Sequence, residues 1–343
     1  MAVGVGVDVG GGSLKVGCAV LDSTGAVSPA HLLPGLQVPA PRTVPHGSPS
    51  DPRRLESLCA HEAQEAAQGL PAPLSRLPVT WGVAAAVWIR PDDGHGIFSP
   101  HLPAWRDRPL RTALGQALAD QPGPLRGSAV VVNDADAAAW AEARIGAGSS
   151  MPGGQASRRT VMVAIGTGIG GALVRDGVVE TGAHGMAGEY GHMSLDPHGP
   201  PCPCGGVGCW ETLVSASALA RRAGRSSART TLDDAGRGDP TCRRAVEETG
   251  RWLGRGLALV TAALDPDRVV IGGGLAAAGE LLLAPARDEL HRVLPGRAYR
   301  EPPEVVLAAL GNDAGWLGAA GLSLTRGRRR PDPDHAGPGP AAA

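Results

Sequence analysis

Two stretches of the sequence share the same order of apolar and polar positions. Residues 3–21 read VGVGVDVGGGSLKVGCAVL, and residues 160–176 read TVMVAIGTGIGGALVRD. Each is an apolar run, a glycine-rich segment and a second apolar run, which is typical of a β-hairpin whose turn lets the backbone approach another group closely. The repetition predicts two halves of the chain that are built alike.

The other apolar segments alternate between strand-like and helix-like patterns, as in α/β proteins. Residues 34–53 and 149–159 are predicted loops, and the proline-rich tail 327–343 is predicted to be disordered. The predicted strands are 79–89, 128–132, 268–271 and 304–310. One predicted helix opens with the segment SPHLPAWRDRPL and ends at about residue 119, and another is the run ADAAAWAEARIG, which starts at residue 135. The other predicted helices are 54–68, 215–225, 241–263, 277–294 and 311–323.

Length and charge limit the class of protein. At 343 residues the chain is long enough for two domains, each with a buried core. The formal net charge is −1, so we expect a small-molecule ligand and no nucleic-acid partner. The start of the chain has no secretion-signal pattern, and no apolar run reaches the ~18 residues of a membrane span. Six cysteines, three of them clustered, favour a reducing compartment, so we expect a soluble cytoplasmic protein.

One short segment combines an imidazole with three thiols. His192 is followed by Cys202, Cys204 and Cys209, an H-x9-C-x-C-x4-C run in AGEYGHMSLDPHGPPCPCGGVGCWE. This is the ligand set of a closed tetrahedral zinc site, and the prolines and glycines between the thiols predict a tight loop. A reduced cysteine-rich surface loop or a disulfide remains an alternative.

The glycine-rich turns are candidate anion sites. In the first hairpin Asp8 ends a strand, the following glycines leave backbone N–H groups free for an anion, and Lys15 is the only lysine in the chain. A simple tight turn is the alternative. The glycines join strand to strand, which excludes a Walker A loop and a Rossmann fingerprint. The candidate residues are Gly10, Gly11, Gly12, Ser13 and Lys15, then Gly166, Thr167, Gly168, Gly170 and Gly171, then Gly272, Gly273 and Gly274 after a strand.

Further polar candidates stand beside these motifs. Asn133 and Asp134 follow a predicted strand where a helix begins, which is where α/β proteins bind ligands. Helix capping is the alternative for either residue. Glu189 lies one helical turn before His192, and Glu211 follows the last clustered cysteine. A metal loop that fixes both carboxylates would support a polar binding site, whereas each glutamate alone is also compatible with a solvated surface charge.

Taken together, these motifs resemble the ROK family of sugar kinases, and among them the actinobacterial-type glucokinases. The residues that carry the resemblance are DVGGGSLKVG, VNDADAAAWAE, AIGTGIGG, GAHGMAGEYGHMSLDPHGPPCPCGGVGCWE and VVIGGGL, which follow in order over about residues 3–325. The resemblance implies an actin-like, RNase H-like fold with two α/β domains around a cleft. It implies a small domain, 1–132, completed by a helix at about 312–326, and a large domain, 133–311, with the zinc loop.

The resemblance also implies a reaction, in which Mg-ATP phosphorylates the 6-hydroxyl of glucose and Asp134 acts as general base. Asp8 would orient Mg²⁺ or its waters, and His192 would bind zinc with one ring nitrogen and sugar with the other. Both hairpins, including Lys15, would hold phosphates, and residues 272–274 would line the nucleotide pocket. Sugar hydroxyls would contact Asn133, Asp134, Glu189, His192 and Glu211.

Some positions depart from the family pattern. Gly12 stands where the family often has threonine, although Ser13 offers a neighbouring hydroxyl. Val87 replaces a glycine of a sugar-contacting loop, so we expect it to crowd the sugar or shift specificity. Asp136 and His184 stand where asparagine is common.

Several alternatives stay open. Another hexose, such as fructose, mannose or an N-acetylated amino sugar, is one alternative substrate, and polyphosphate is an alternative donor. An alternative function is that of a sugar-responsive regulator of the same family. The DNA-binding helices of such a regulator would precede the first hairpin, but here that hairpin begins at residue 3 of the sequence. The resemblance implies a homodimer or homotetramer.

Overall fold

The computed structural model describes residues 1–47, 50–150 and 156–325. Its first part forms a mixed sheet of order β3-β2-β1-β5-β8, with β4 paired to β2, and a separate β6-β7 hairpin. The strands are β1 (Ala2–Val9), β2 (Ser13–Leu21), β3 (Val27–Pro29), β4 (Arg42–Pro45), β5 (Val79–Ala85), β6 (Trp88–Arg90), β7 (His95–Phe98) and β8 (Val130–Asn133), and the helices are α1 (Pro52–Gln68), α2 (Leu110–Ala119) and α3 (Asp134–Arg144).

The second part forms another mixed sheet, of order β11-β10-β9-β12-β13, with helices beside it. Ser215, Ser227 and Asp239 cap the starts of α5, α6 and α7 by accepting hydrogen bonds from backbone N–H groups. The strands are β9 (Arg159–Ile165), β10 (Ile169–Arg175), β11 (Val178–Val179), β12 (Arg268–Gly272) and β13 (Glu304–Leu307), and the helices are α4 (Trp210–Leu213), α5 (Ala216–Ala223), α6 (Ala228–Gly236), α7 (Pro240–Leu264), α8 (Glu280–Val293) and α9 (Ala314–Thr325).

The two sheets have the same plan. In each, the first strand pairs antiparallel with the second strand of a hairpin and parallel with a later strand. A further parallel strand extends each sheet, β8 beside β5 and β13 beside β12. The predicted duplication is therefore present, and mixed α/β sheets of this order are consistent with the actin-like fold.

Helix α9 returns from the end of the chain to the first sheet. Glycines of β1 and β5 let it lie against the strands, because a Cβ at Gly6 would stand 1.9 Å from the Trp316 carbonyl oxygen and one at Gly82 would stand 2.2 Å from that of Ala319. Trp316 is fully buried in the cluster of apolar side chains that α9 shares with α3 and with Met162 of the second sheet. This helix is therefore part of an apolar cluster that includes residues of both sheets. The predicted domain boundaries stay a prediction.

Sequence patterns missed several elements. Strand β4 lies inside the predicted 34–53 loop, the β6-β7 hairpin extends beyond the predicted 79–89 strand, and α6 lies between the predicted helices 215–225 and 241–263. All three have short or weakly patterned sequences whose conformation is set by neighbours, such as β2 for β4. The predicted disordered tail from 327 lies outside the described residues. Within the described ranges, no helix is long and apolar enough to span a membrane.

Candidate active site and metal centre

The four residues of the predicted metal site come together. One ligand atom from each of His192, Cys202, Cys204 and Cys209 lies within 4.8 Å of the others. The Cys204 and Cys209 sulfurs are 3.6 Å apart, and Cys202 Sγ is 3.7 Å from His192 Nδ1. Bonds of about 2.3 Å to a tetrahedral zinc ion would separate two sulfurs by roughly 3.7 Å, so these distances fit such an ion. All six cysteines are free thiols, so the disulfide alternative is not present.

The loop that carries the thiols depends on glycine. A Cβ at Gly206 would stand 3.1 Å from Cys209 Sγ, and one at Gly208, where φ is +61°, would stand 1.7 Å from the Asp196 carbonyl oxygen. Isolated antiparallel β-bridges pair the backbone of Cys209 with that of Ser194 and the backbone of Pro201 with that of Val207. The backbone therefore folds the three sulfurs towards one point.

His192 joins the metal cluster to two carboxylates. Its Nδ1 faces Cys202 and lies 3.5 Å from Glu211 Oε1, whereas its Nε2 lies 3.7 Å from Glu189 Oε2. Burial raises the pKa of Glu189, against the opposing effects of His192 and of the Trp88 side chain. A Cβ at Gly168 would stand 2.6 Å from Glu211 Oε2, so Glu211 also reaches the second glycine hairpin. The predicted sugar-binding carboxylates thus lie beside the imidazole, and their sugar contacts stay a prediction.

Asn133 and Asp134 stand where β8 ends and α3 begins. Asn133 caps the helix, since its Oδ1 accepts from the N–H of Ala135 and of Asp136, and its Nδ2 donates to the Val87 carbonyl oxygen at 3.2 Å. The capping interpretation is therefore right for Asn133, whose sugar contact is untested. Asp134 Oδ1 accepts from the Ala135 N–H at 2.9 Å, and burial raises the pKa of Asp134.

Asp134 belongs to a cluster of three aspartates. Burial and then the charge of Asp134 raise the pKa of Asp8 to about 7, against the opposing charge of Lys15. Burial, followed by the charges of Asp134 and Glu189, raises the pKa of Asp136 to about 7. The Asp8 carboxylate packs against the start of α9, where a Cβ at Gly315 would stand 2.2 Å from Asp8 Oδ2. Because the charge of Asp134 acts on both of the other carboxyl groups, a cation bound beside them would be favoured.

The turn of the first glycine hairpin is hydrogen-bonded but has space beside it. The Gly10 N–H donates to the Ser13 carbonyl oxygen at 2.9 Å. A Cβ at Gly12 would meet nothing within 4 Å, so the missing threonine of the family pattern leaves space and no rearrangement. Lys15 forms an ion pair with Asp313 at 2.8 Å. Its predicted phosphate contact would therefore compete with this pair, and it stays a prediction.

The second hairpin lies beside α3 and the third glycine turn. The Gly166 N–H donates to the Gly168 carbonyl oxygen at 2.9 Å, and a Cβ at Gly170 would stand 3.4 Å from Ala135 Cβ. Gly273 has φ of +81° and no room for a Cβ beside Ile165. Thr167 lies in the same turn, between β9 and β10. The β9-β10 hairpin thus lies beside the start of α3, which carries Asp134. The third glycine turn, at residues 272–274, lies beside the end of β9.

Val87 does not point at the cleft. Its side chain is 1% exposed and belongs to the core of the first sheet, where a Cβ at Gly96 would stand 3.2 Å from Val87 Cγ1. The expected crowding of the sugar by this side chain is therefore not favoured.

Sequence patterns also missed two side chains at the cleft. The side chain of Trp88, next to Val87, lowers the pKa of Glu189 against the effect of burial, and His101 does the same for the pKa of Asp134. Neither residue lies in a motif with regular spacing. The only signal was their place in the loop between β5 and α2.

Comparisons with known proteins agree with this geometry. A model of the ROK family matches residues 5–326. The glucokinase of Streptomyces coelicolor is 31% identical over 97% of this chain and 99% of its own length. The solved structure of a ROK family glucokinase from Streptomyces griseus, in complex with glucose and AMPPNP, is 28% identical, covers 94% of this chain and 100% of its own, and has a TM-score of 0.73.

The comparisons also include other members. A ROK hexokinase structure from Thermus thermophilus is 30% identical over 94% of this chain and 98% of its own, with a TM-score of 0.72. The glucokinase and hexokinase relatives, together with the two mixed α/β sheets, show that the protein is a sugar kinase. The chain belongs to the ROK family.

Proposed function

We propose that this protein transfers the terminal phosphoryl group of ATP to the 6-hydroxyl of glucose and forms glucose 6-phosphate. One observation carries the proposal. Asp134 is half-buried at the start of α3, where the next residue lies beside the second glycine hairpin, and its charge acts on Asp8, which precedes the first hairpin, and on Glu189, which lies beside His192. The same arrangement would bring a sugar hydroxyl and a phosphate to one carboxylate.

Asp134 is the general base. A carboxyl group whose pKa is raised by burial accepts a proton more readily than an exposed one, and the acceptor hydroxyl must lose its proton as its oxygen attacks the phosphorus. Asp8, at the end of β1, would hold Mg²⁺ or its waters. Bound Mg²⁺ supplies positive charge that neutralises the phosphates and the three aspartates. The chemistry otherwise needs positioning more than covalent participation.

The sugar is held by polar side chains on the zinc side of the cleft. A hexose has many hydroxyls and no charge, so carboxylates, amides and imidazoles that accept and donate at fixed positions can distinguish it. We assign this role to Asn133, Asp134, Glu189, His192 and Glu211. Zinc held by His192 and the three clustered cysteines fixes the orientation of the imidazole when it is bound.

The glycine turns hold the nucleotide. Backbone N–H groups at residues 10–12 and 166–170, the Ser13 and Thr167 hydroxyls and Lys15 would contact phosphate oxygens, and residues 272–274 would line the nucleotide pocket. We further propose a cytoplasmic homodimer or homotetramer, as the family resemblance implies.

A panel of phosphoryl acceptors and donors tests the proposed function. Purified protein with Mg²⁺ is assayed on glucose, fructose, mannose and N-acetylmannosamine, each with ATP and with polyphosphate. We expect kcat/KM to be highest for glucose with ATP. A higher value for another sugar or donor would reassign the substrate, and sugar binding without turnover on any combination would contradict a kinase.

A further inference from the structure

A pair of aromatic side chains on the β6-β7 hairpin lies beside the proposed sugar-binding residues. We propose that Trp88, supported by Phe98, packs its ring against the C–H face of the bound hexose, which makes it a further sugar-binding residue. The inference rests on the proposed function, because it needs a hexose held beside Asn133 and Glu189.

Strand alternation turns the Trp88 side chain away from the core. In β6, Ile89 is 5% exposed and belongs to the core of the first sheet, whereas Trp88 is half-buried and Arg90 is exposed. Successive side chains of a strand point to opposite faces, so the indole lies on the face opposite to Ile89. A large apolar ring on that face is available to a ligand.

Contacts on both sides of Trp88 place its backbone next to the proposed sugar-binding residues. The Asn133 side chain donates at 3.2 Å to the Val87 carbonyl oxygen, which belongs to the peptide group that joins Val87 to Trp88. On the other side, a Cβ at Gly185 would stand 2.0 Å from the carbonyl oxygen of the residue after Trp88. The segment that leads to Glu189 therefore packs against β6. A hydrogen bond from the Trp88 side chain, which lowers the pKa of Glu189, agrees with this position.

Phe98 supports the indole and extends the aromatic surface. The two residues are paired across the β6-β7 hairpin, and their ring centroids are 5.4 Å apart. The pairing register shifts just after Trp88, and irregularities of this kind redirect side chains. The Arg106 guanidinium lies 4.6 Å from the centre of the Phe98 ring, and the Ser99 hydroxyl donates to the Ala86 carbonyl oxygen at 2.6 Å. These contacts hold the aromatic pair in place before any ligand binds.

The chemistry of a hexose suits such a surface. Phe98 is the only phenylalanine in the chain, yet it is 39% exposed, so filling a core does not explain its place. The non-anomeric ring hydroxyls of glucose are equatorial, so the faces of the sugar ring present C–H groups. The negative face of an aromatic ring attracts such groups, and stacking also removes apolar surface from water. Polar side chains would thus bind the hydroxyl edge of the sugar while the indole covers one face.

Two variants and a control measure the contribution of the ring. Trp88→Leu keeps apolar bulk without an aromatic face, Trp88→Phe keeps such a face, and Trp252→Leu changes a half-buried tryptophan on α7. For Trp88→Leu we expect the glucose dissociation constant, measured by calorimetry without nucleotide, to rise about 5- to 20-fold, and for Trp88→Phe to stay within about threefold of the wild type. The affinity for Mg-AMPPNP should be unchanged in both, and Trp252→Leu should match the wild type.

Tryptophan fluorescence gives a signature that a merely structural role would not produce. Five of the seven tryptophans are fully buried, so Trp88 should account for most of the change in emission when glucose binds. We expect saturating glucose to change the emission of the wild type and of Trp252→Leu but not that of Trp88→Phe.

The outcomes separate this proposal from the proposed function. If Trp88→Leu binds glucose within about twofold of the wild type, or if the glucose-dependent emission change persists in Trp88→Phe, the proposal is overturned whether or not the protein is a kinase. An emission change that Mg-AMPPNP alone produces and Trp88→Phe loses would assign the aromatic pair to adenine and also overturn it. If the wild type binds glucose with the expected effects but shows no turnover, the stacking contact stands and the kinase proposal fails.

Discussion

At the scale of single residues, the site contains aspartates whose pKa values are raised because their carboxyl groups are shielded from water. Burial, and after it the charge of Asp134, raises the pKa of Asp8 and of Asp136 to about 7. A stretch of sequence does not reveal this, because Asp8 and Asp136 are 128 positions apart and meet only when β1 and α3 are packed. In the sequence, Asp136 differs from the family pattern, where asparagine is common, but nothing local indicates a raised pKa.

The raised pKa values predict the pH dependence of the metal-free protein. A carboxyl group with a folded pKa near 7 and an unfolded pKa near 3.8 is protonated only in the folded state between these values. Unfolding then releases protons, so the free energy of unfolding falls as pH rises from about 4 to 7, by up to about 1.4 kcal/mol per pH unit for each group. Urea unfolding at pH 5 and pH 8 without Mg²⁺ measures this.

Asp136→Asn is the matched variant for this effect, since it removes one charge and keeps the shape. We expect its gain in free energy of unfolding relative to the wild type to be larger at pH 8 than at pH 5, because the wild type loses stability between these pH values and the variant does not. Equal differences at both pH values would show that Asp136 does not carry a raised pKa.

The metal site gives a second prediction at this scale. We expect the wild type to contain about one zinc ion per chain, and Cys209→Ser to lose it and bind glucose roughly tenfold more weakly, because His192 loses its fixed orientation. Elemental analysis and calorimetry measure both quantities. Cys242→Ala, a control thiol buried between α7 and its neighbours, should keep the metal. Full zinc content in Cys209→Ser would remove that cysteine from the ligand set.

At the scale of elements, strong local patterns were predictable and weak ones were not. The two hairpins and the cysteine loop follow from repeated apolar runs, glycine and ligand spacing, and all three are present. Strand β4 is four residues long and exists because β2 offers it a partner, which no local pattern records. The position of His101 beside Gly11 is likewise fixed by hydrogen bonds to Ser99, which no local sequence pattern records.

The packing of α9 on the first sheet predicts a large effect from a small change. Gly6→Ala would place a methyl group against the backbone of Trp316, and we expect it to cost about 1 to 3 kcal/mol as the helix moves away. Gly236→Ala in α6, where a Cβ meets nothing within 4 Å, should be neutral or slightly stabilising. Chemical denaturation compares the two variants. A neutral Gly6→Ala would show that α9 is not seated closely on β1.

At the scale of the whole molecule, two sheets of the same plan supply one hairpin each, and α9 belongs to an apolar cluster with residues of both sheets. Duplication was predictable from the repeated pattern in residues 3–21 and 160–176. The convergence of Asp134, His192 and the two hairpins was not, because it depends on how the halves pack. The family resemblance supplied that convergence as an expectation, and the geometry of the described residues is compatible with it.

The central claim is that Asp134 removes the proton of a sugar hydroxyl in a site where the sugar is held by other groups. Its most direct test is the turnover number of Asp134→Asn with glucose and Mg-ATP, measured beside the glucose affinity of the same variant. We expect kcat to fall by about a thousandfold or more while the glucose dissociation constant changes by no more than a small factor. A variant that keeps more than about a tenth of the wild-type kcat would contradict the account.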